Sequence, residues 1–184
     1  MKGCLRMKSA GMVRRIDNLG RVVIPKEIRY TLHIHNGDPL EIYTDSQGGV
    51  IFKKYSPVGE LSTFAQQYGE VLSKYVNLPM LVCDRDRIIS AAGISRKEYL
   101  ERRITPKLDE LMQFHKSYVS TGRSQFIPVE GIDRSAAIVY PIVASGDVVG
   151  AVILLQNENG TAPDQTEITM VQVAATFLGK QMEE

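Results

Sequence analysis

Residues 11–29 read GMVRRIDNLGRVVIPKEIR: a basic stretch, a turn, an apolar run and a proline that opens a helix. Asp17-Asn18-Leu19-Gly20 is turn chemistry, because Asp and Asn bond their own backbone and Gly accepts positive φ. The flanks on either side of it are therefore expected to fold back on one another as two strands. Arg21-Val22-Val23-Ile24 carries the β-branched run of a largely buried strand, and Pro25 suits the first turn of a helix, where no amide donor is needed. Arg14, Arg15, Arg21 and Arg29 then share one compact hairpin-plus-helix unit. Guanidinium forks match phosphate oxygens and guanine edges, so the unit reads as a nucleic-acid reader. Four solvated surface arginines would produce the same spacing.

Working outward, Ile24, Ile28 and Leu32 recur every four residues and predict a short helix from Pro25 to about His33. Asn36-Gly37-Asp38 signals a turn. Leu40 to Tyr43, Ser46 to Gly49 and Val50 to Phe52 predict a second hairpin. The order is strand, strand, helix, strand, strand, in the 49 residues from Met7 to Tyr55. Apolar residues lie on both faces of both hairpins. A unit this small without disulfide or metal cannot cover them alone, which predicts a dimer with interleaved hairpins.

The chain of 184 residues is 43% apolar and 23% charged, ordinary values for one globular domain or two small ones. Its net charge of +1 conceals a split. Residues 1–55 carry ten Lys/Arg against five Asp/Glu, whereas residues 56–184 carry twelve against sixteen. A basic module joined to a differently employed domain gives this asymmetry. Cys4 and Cys83 lie far apart with no CxxC spacing, so neither a disulfide framework nor a zinc site is indicated. No apolar run reaches the ~18 residues of a membrane span, and the first residues lack a secretory core, so a cytoplasmic location with no membrane partner is expected. Met7 restarts the chain before the patterned region, and residues 1–6 are expected to be a disordered extension.

Ser56 to Glu60 reads as a linker. Leu61, Phe64, Ala65, Tyr68, Leu72, Tyr75 and Val76 follow helical spacing. Met80 to Cys83 and Ile88 to Ala92 predict strands around a polar turn. Ser95 with Glu98 three residues on fits a capping box opening a helix to about Ile104, and a second helix is expected from Pro106 to Ser120. Gln125 to Val129 is a candidate strand. Ala136 to Val143 and Val148 to Leu155 predict a hairpin of continuous apolar strands. A last helix, Asp164 to Met182, is apolar over much of its circumference and is expected to be buried on more than one side.

Motifs for catalysis are missing: there is no GxxxxGK[ST], GxGxxG, GxSxG or HExxH. Neither an enzyme nor a cofactor is expected. His33 and His35 lack a cysteine or carboxylate at ligand spacing and read as surface histidines. Cys83, in an apolar strand, reads as a small buried thiol.

Residues 12–57, MVRRIDNLGRVVIPKEIRYTLHIHNGDPLEIYTDSQGGVIFKKYSP, resemble the AbrB-type transition-state regulators through LGRVVIPKEIR, GDPLEIY and KKYSP. The remaining residues have the layout of a GAF domain. The resemblance implies an α+β chain: a dimeric swapped-hairpin β-barrel over 7–55 that binds double-stranded DNA, then a GAF-like domain over 61–184 for regulation or assembly. It implies a nucleoid-associated regulator of sporulation genes in a spore-forming bacterium. Arg14, Arg15, Arg21 and Arg29 correspond to the family's DNA-contacting positions, with Lys8 nearby as a further expected contact. Position 30 departs from the pattern, since Tyr30 stands where the family has a second consecutive arginine. The helices near Leu61 to Val76 and Ile168 to Met182 are expected to join dimers into a tetramer. GAF domains commonly enclose a small molecule, so an unidentified effector is a further expected partner; the NKFDE run of cyclic-nucleotide binders is missing, and Tyr99, Arg134 and Tyr140 lie near the expected pocket with no ligand role assigned. AbrB-type hairpins also begin antitoxins, which keeps an antitoxin-like interaction module as the alternative.

Overall fold

The computed structural model describes residues 12–32, 34–56, 58, 62–122 and 125–183. The chain divides into two units, one ending at Lys54 and the other beginning at Tyr55. Lys8, the expected extension 1–6 and His33 lie outside the described residues.

In the first unit a turn at residues 17–21 leads into α1 (Lys26–Thr31) and a hairpin of β1 (Leu40–Thr44) and β2 (Val50–Lys54). The hairpin is antiparallel, with Leu40 opposite Lys54 and Thr44 opposite Val50. Pro25 caps α1, and the helix stops at Thr31, where the Leu32 amide donates to the Ile28 carbonyl. The first hairpin differs from expectation. The Asp17 amide donates to the Arg21 carbonyl at 3.0 Å, yet residues 12–16 and 22–24 belong to no strand. A strand needs cover as well as a ladder, and one chain provides none here: Val13 is 91% exposed and Val23 is 73% exposed. Among the described residues before Val58, Pro25 alone is buried.

The second unit is built on a five-stranded antiparallel sheet in the order β4-β3-β7-β6-β5. Its strands are β3 (Met80–Asp84), β4 (Ile88–Ala92), β5 (Tyr118–Val119), β6 (Ala136–Ala144) and β7 (Asp147–Leu155). Helices α2 (Ser62–Val76), α3 (Arg96–Tyr99), α4 (Pro106–Gln113) and α5 (Gln165–Gln181) complete it. Alternation along the strands separates two cores. Leu81, Cys83, Ile153 and Leu155 pack with Tyr99, Leu108, Met112 and Phe126, while Met80, Val82, Val152 and Leu154 pack with Ala65, Val171, Ala175 and Leu178. Helices cover both faces, which is why the strands read as unbroken apolar runs rather than alternating ones.

Several expectations are corrected. Helix α3 is four residues long and Ser95 makes no side-chain cap bond; the capping box belongs to Asp164 and Glu167 at the start of α5. After Tyr99 the chain turns through Glu101 (φ 63°) and pairs beside β4, the Ile88 amide donating to the Arg102 carbonyl. Helix α4 ends at Gln113, seven residues short of Ser120, because Tyr118 and Val119 are taken by the sheet opposite Val139 and Ile138. Residues 125–129 form no strand, only the isolated bridge of Val129 to Ile104. The expected linker 56–60 is not free: the Ser56 hydroxyl donates to Asp84 Oδ2 at 2.9 Å and Val58 is fully buried against the α2 and α5 side of the sheet, while Pro57, Gly59 and Glu60 lie outside the described residues.

Helix α2 carries the expected apolar stripe, with Phe64, Tyr68, Leu72 and Val76 partly buried against the core on the α5 side of the sheet. It buries Ala65, Gln66, Gly69 and Ser73, small or polar residues, against the sheet. Close approach selects small side chains: a Cβ on Gly69 would already lie 3.5 Å from Ala92 Cβ. Gln66 is tolerated because its amide satisfies an edge strand, Nε2 donating to the Ala91 carbonyl and Oε1 accepting from the Ala91 amide and the Ser90 hydroxyl. The apolar stripe of α2 instead lies sideways, with Phe64 and Tyr68 against Phe177 of α5 at ring separations of 5.8 and 5.4 Å. Helix α5 is buried along one stripe rather than on several sides, leaving Val173 53% and Phe177 40% exposed. It reaches β6 so closely at Gly179 that a Cβ there would collide with the Val143 carbonyl oxygen.

Candidate nucleic-acid interface

The turn at 17–21 is a closed hydrogen-bonded loop. Asp17 Oδ1 accepts from the amides of Leu19 (2.9 Å) and Arg21 (2.8 Å), and the Gly20 amide returns to the Asp17 carbonyl (3.0 Å). Gly20 sits at φ 77°, a left-handed conformation that suits glycine. Asp17 Oδ2 then accepts from Arg21 Nε at 2.8 Å, so the carboxylate both shapes the turn and aims the guanidinium. The Arg21 amide, together with that side-chain bond, holds the Asp17 carboxyl below its ordinary range.

The second turn repeats the construction. Asp45 Oδ1 accepts from the amides of Gln47 and Gly49, the Gly48 amide donates to the Asp45 carbonyl, and Gly48 sits at φ 83°. The fifth position is Gly49 there and Arg21 in the first turn. Only the first turn therefore carries a cation.

Arg14 and Arg15 are exposed ahead of the turn, and Arg21 is exposed on it. Arg29, on α1, is half-buried and donates from Nη1 to Asn36 Oδ1 at 2.9 Å, while its Nε is buried without a hydrogen-bond partner. Tyr30 is 80% exposed beside it. Two supporting residues escaped sequence reasoning. Asp17 as the group that aims Arg21 was signalled by the Asp-x-x-Gly-Arg spacing, whereas Asn36, seven residues from Arg29 and beyond the helix end, left no signal.

Elsewhere, His35 is a partly buried neighbour of Asp38 rather than a surface residue: its amide donates to Asp38 Oδ2 at 2.9 Å. Burial pushes the Cys83 thiol up, with Asp84 adding to the effect, so the group is unreactive. Tyr99 and Tyr140 do not share a pocket, because they pack on opposite faces of the sheet. Burial raises the Tyr99 phenol, with Arg134 opposing, and Arg134 Nη2 donates to the Gln156 carbonyl. Tyr140 Oη accepts from Gln172 of α5.

Residues 60–183 match the family model of the stage V sporulation protein T C-terminal, transcription factor. The stage V sporulation protein T of Bacillus subtilis (strain 168) is 45% identical over 97% of this chain and all of its own length. The chain belongs to the stage V sporulation protein T family. It is accordingly a transcription regulator of sporulation genes, with an AbrB-like DNA-binding unit followed by a GAF-like domain. The N-terminal unit is also similar to the transition state regulatory protein AbrB of the same organism, 59% identical over 28% of this chain and 52% of that protein. A second model, antidote-toxin recognition MazE, bacterial antitoxin, matches residues 13–59. In fold, the chain resembles a GAF domain/HD domain protein from Geobacter sulfurreducens at a TM-score of 0.51 and 16% identity, covering 71% of this chain and 99% of that one.

Proposed function

We propose that two copies pair through residues 12–54 and present Arg14, Arg15, Arg21 and Arg29, with the Tyr30 hydroxyl and Lys8, to double-stranded DNA. The observation that carries this reading is the first turn, where an anionic clamp holds an exposed arginine in one orientation on an otherwise uncovered apolar unit. Preordering the fork lowers the entropy lost when it meets a phosphate or a guanine edge. Pairing supplies the missing cover: among the described residues, thirteen of the twenty exposed large apolar side chains lie before residue 55, so the first unit is the one that needs a partner.

The GAF-like unit assembles the dimers. Val71, Tyr75, Val173 and Phe177 leave an apolar face on α2 and α5, and a second two-fold contact there gives a tetramer. The same unit is the place for a small-molecule effector, and the protein works at the nucleoid in the cytoplasm. The MazE match favours a second reading, in which the N-terminal unit binds a partner protein; the folded second unit of this chain speaks against it, since such tails are short. Titrating the full chain on genomic DNA fragments over a salt series separates them. Nanomolar-range binding whose affinity falls steeply with salt supports the DNA reading, and no binding at low salt supports the protein-partner reading.

A further inference from the structure

Arg21 and Arg29 are each held by a neighbour, and the two holders differ in charge. Asp17 Oδ2 accepts from Arg21 Nε at 2.8 Å, so one group both orients and neutralises that guanidinium. Asn36 Oδ1 accepts from Arg29 Nη1 at 2.9 Å, and a carboxamide orients a guanidinium without cancelling its charge. Among the described residues Arg29 has no acid partner and no second side-chain bond. Its Nε is buried, so the guanidinium meets a ligand through its Nη end.

The chain builds the place from which Asn36 acts. Helix α1 stops at Thr31, and the Ile34 amide donates to the Arg29 carbonyl at 2.8 Å, which brings the segment after the helix back toward Arg29. Asn36 and Gly37 then form the tip of a turn. The Asp38 amide donates to the His35 carbonyl at 3.3 Å, and the His35 amide donates to Asp38 Oδ2 at 2.9 Å. Gly37 sits at φ 87°, a conformation that suits glycine. The Asp38 side chain is only 3% exposed, so the turn is anchored inside the unit while its tip holds Asn36 at the surface. Asparagine before glycine is common turn chemistry, but a turn asparagine ordinarily bonds its own backbone. This one reaches seven residues back, to a cation.

From this geometry we infer that Asn36 is a positioning residue for DNA binding, which presents Arg29 to a phosphate oxygen as a full cation. The inference rests on the DNA-binding reading above. Preordering the fork reduces the entropy lost on contact. A charge that is not cancelled within the protein releases a counterion when it meets a phosphate, and the contact adds affinity without reading bases.

The test uses the full chain and a long random-sequence duplex, with affinity measured across a salt series. Arg29→Gln should flatten the slope of log affinity against log salt by about two units per dimer. Asn36→Asp keeps an acceptor on the turn but sets a negative charge beside Arg29, and should flatten the slope to a similar extent. Asn36→Ala removes the hold and keeps the charge of Arg29, so affinity should fall about 2- to 10-fold for each Arg29 released, with the slope in place. In the Arg29→Gln background Asn36→Ala should have no further effect, because the residue acts through Arg29. An equal loss in both backgrounds would mark a role in the turn alone and overturns the inference, as does unchanged affinity in Asn36→Ala or an unchanged slope in Asn36→Asp. If the unsubstituted chain fails to bind the duplex at all, the DNA reading falls with it; if it binds and Arg29→Gln matches it in affinity and slope, only the role of Asn36 falls.

Discussion

The two units of this chain use similar residues to opposite effect. In the second, Leu81, Ile153, Leu154 and Leu155 are wholly buried because strands and helices of the same chain enclose them on two faces. In the first, Val13, Ile16, Val23 and Ile42 are equally apolar and stand 91%, 70%, 73% and 65% exposed. Burying one such side chain contributes about 1.5–3 kcal/mol, so a unit that buries almost none cannot hold its shape from within. The difference teaches that apolar patterning reports the core of the assembled protein and not the core of one chain.

That contrast can be broken by substitution, and the largest expected effect lies in the second unit. Leu154→Ala should cost roughly 2–5 kcal/mol, through lost transfer energy plus the cavity left between sheet and α5. Chemical denaturation of the full chain would register it. Ile16→Ala sharpens the comparison. If Ile16 stays in water the change should cost under about 0.5 kcal/mol, whereas completion by a second copy predicts a core-like loss of about 2–4 kcal/mol.

Gly179→Ala probes how tightly the second unit is packed. Alanine favours helix by up to about 1 kcal/mol, but its Cβ would meet the Val143 carbonyl, and overpacking typically costs about 1–3 kcal/mol. A net loss of stability in thermal unfolding is expected.

The candidate site offers smaller effects. Tyr30→Arg restores a cation at an exposed helix position, and should raise affinity for DNA at low salt while steepening the salt slope by up to roughly two units per dimer. A lowered melting temperature with an unchanged slope would instead place Tyr30 in the contact between copies. The smallest effect is the titration of Asp17. Its folded carboxyl titrates below the ordinary value of 3.8, so the clamp on Arg21 is present above that pH and is lost as pH falls through the folded value. Amide resonances of Leu19 and Arg21 should move together in that acidic window, and Asp17→Asn should abolish the movement.

Much of the second unit was legible in the sequence. The strands β3, β4, β6 and β7 fall within a residue of their expected ends, because buried strands on both sides are continuous apolar runs with clear turns. What sequence reasoning misplaced was decided by tertiary pairing. Ser95 and Glu98 have capping-box spacing, yet residues 101–104 are drawn into pairing beside β4, leaving α3 one turn long. The apolar stripe of α2 was legible in its spacing, whereas the close approach to the sheet through small and polar residues, Gly69 and Ser73 among them, was not. At the candidate site, the arginines were legible from their spacing and the turn from Asp17 and Gly20. The hold of Asn36 on Arg29 was not, because it joins two segments across a helix end.

The central claim, that residues 12–24 are completed by a second copy, is tested most directly by amide hydrogen exchange in the full chain. Within one chain the amides of Val13, Ile16 and Val23 belong to no strand and their side chains are exposed, so they would exchange as fast as an unstructured peptide. The account predicts strong protection of these amides at high protein concentration, lost on dilution below the association range. Fast exchange at high concentration, alongside protected β3 and β7, would contradict it.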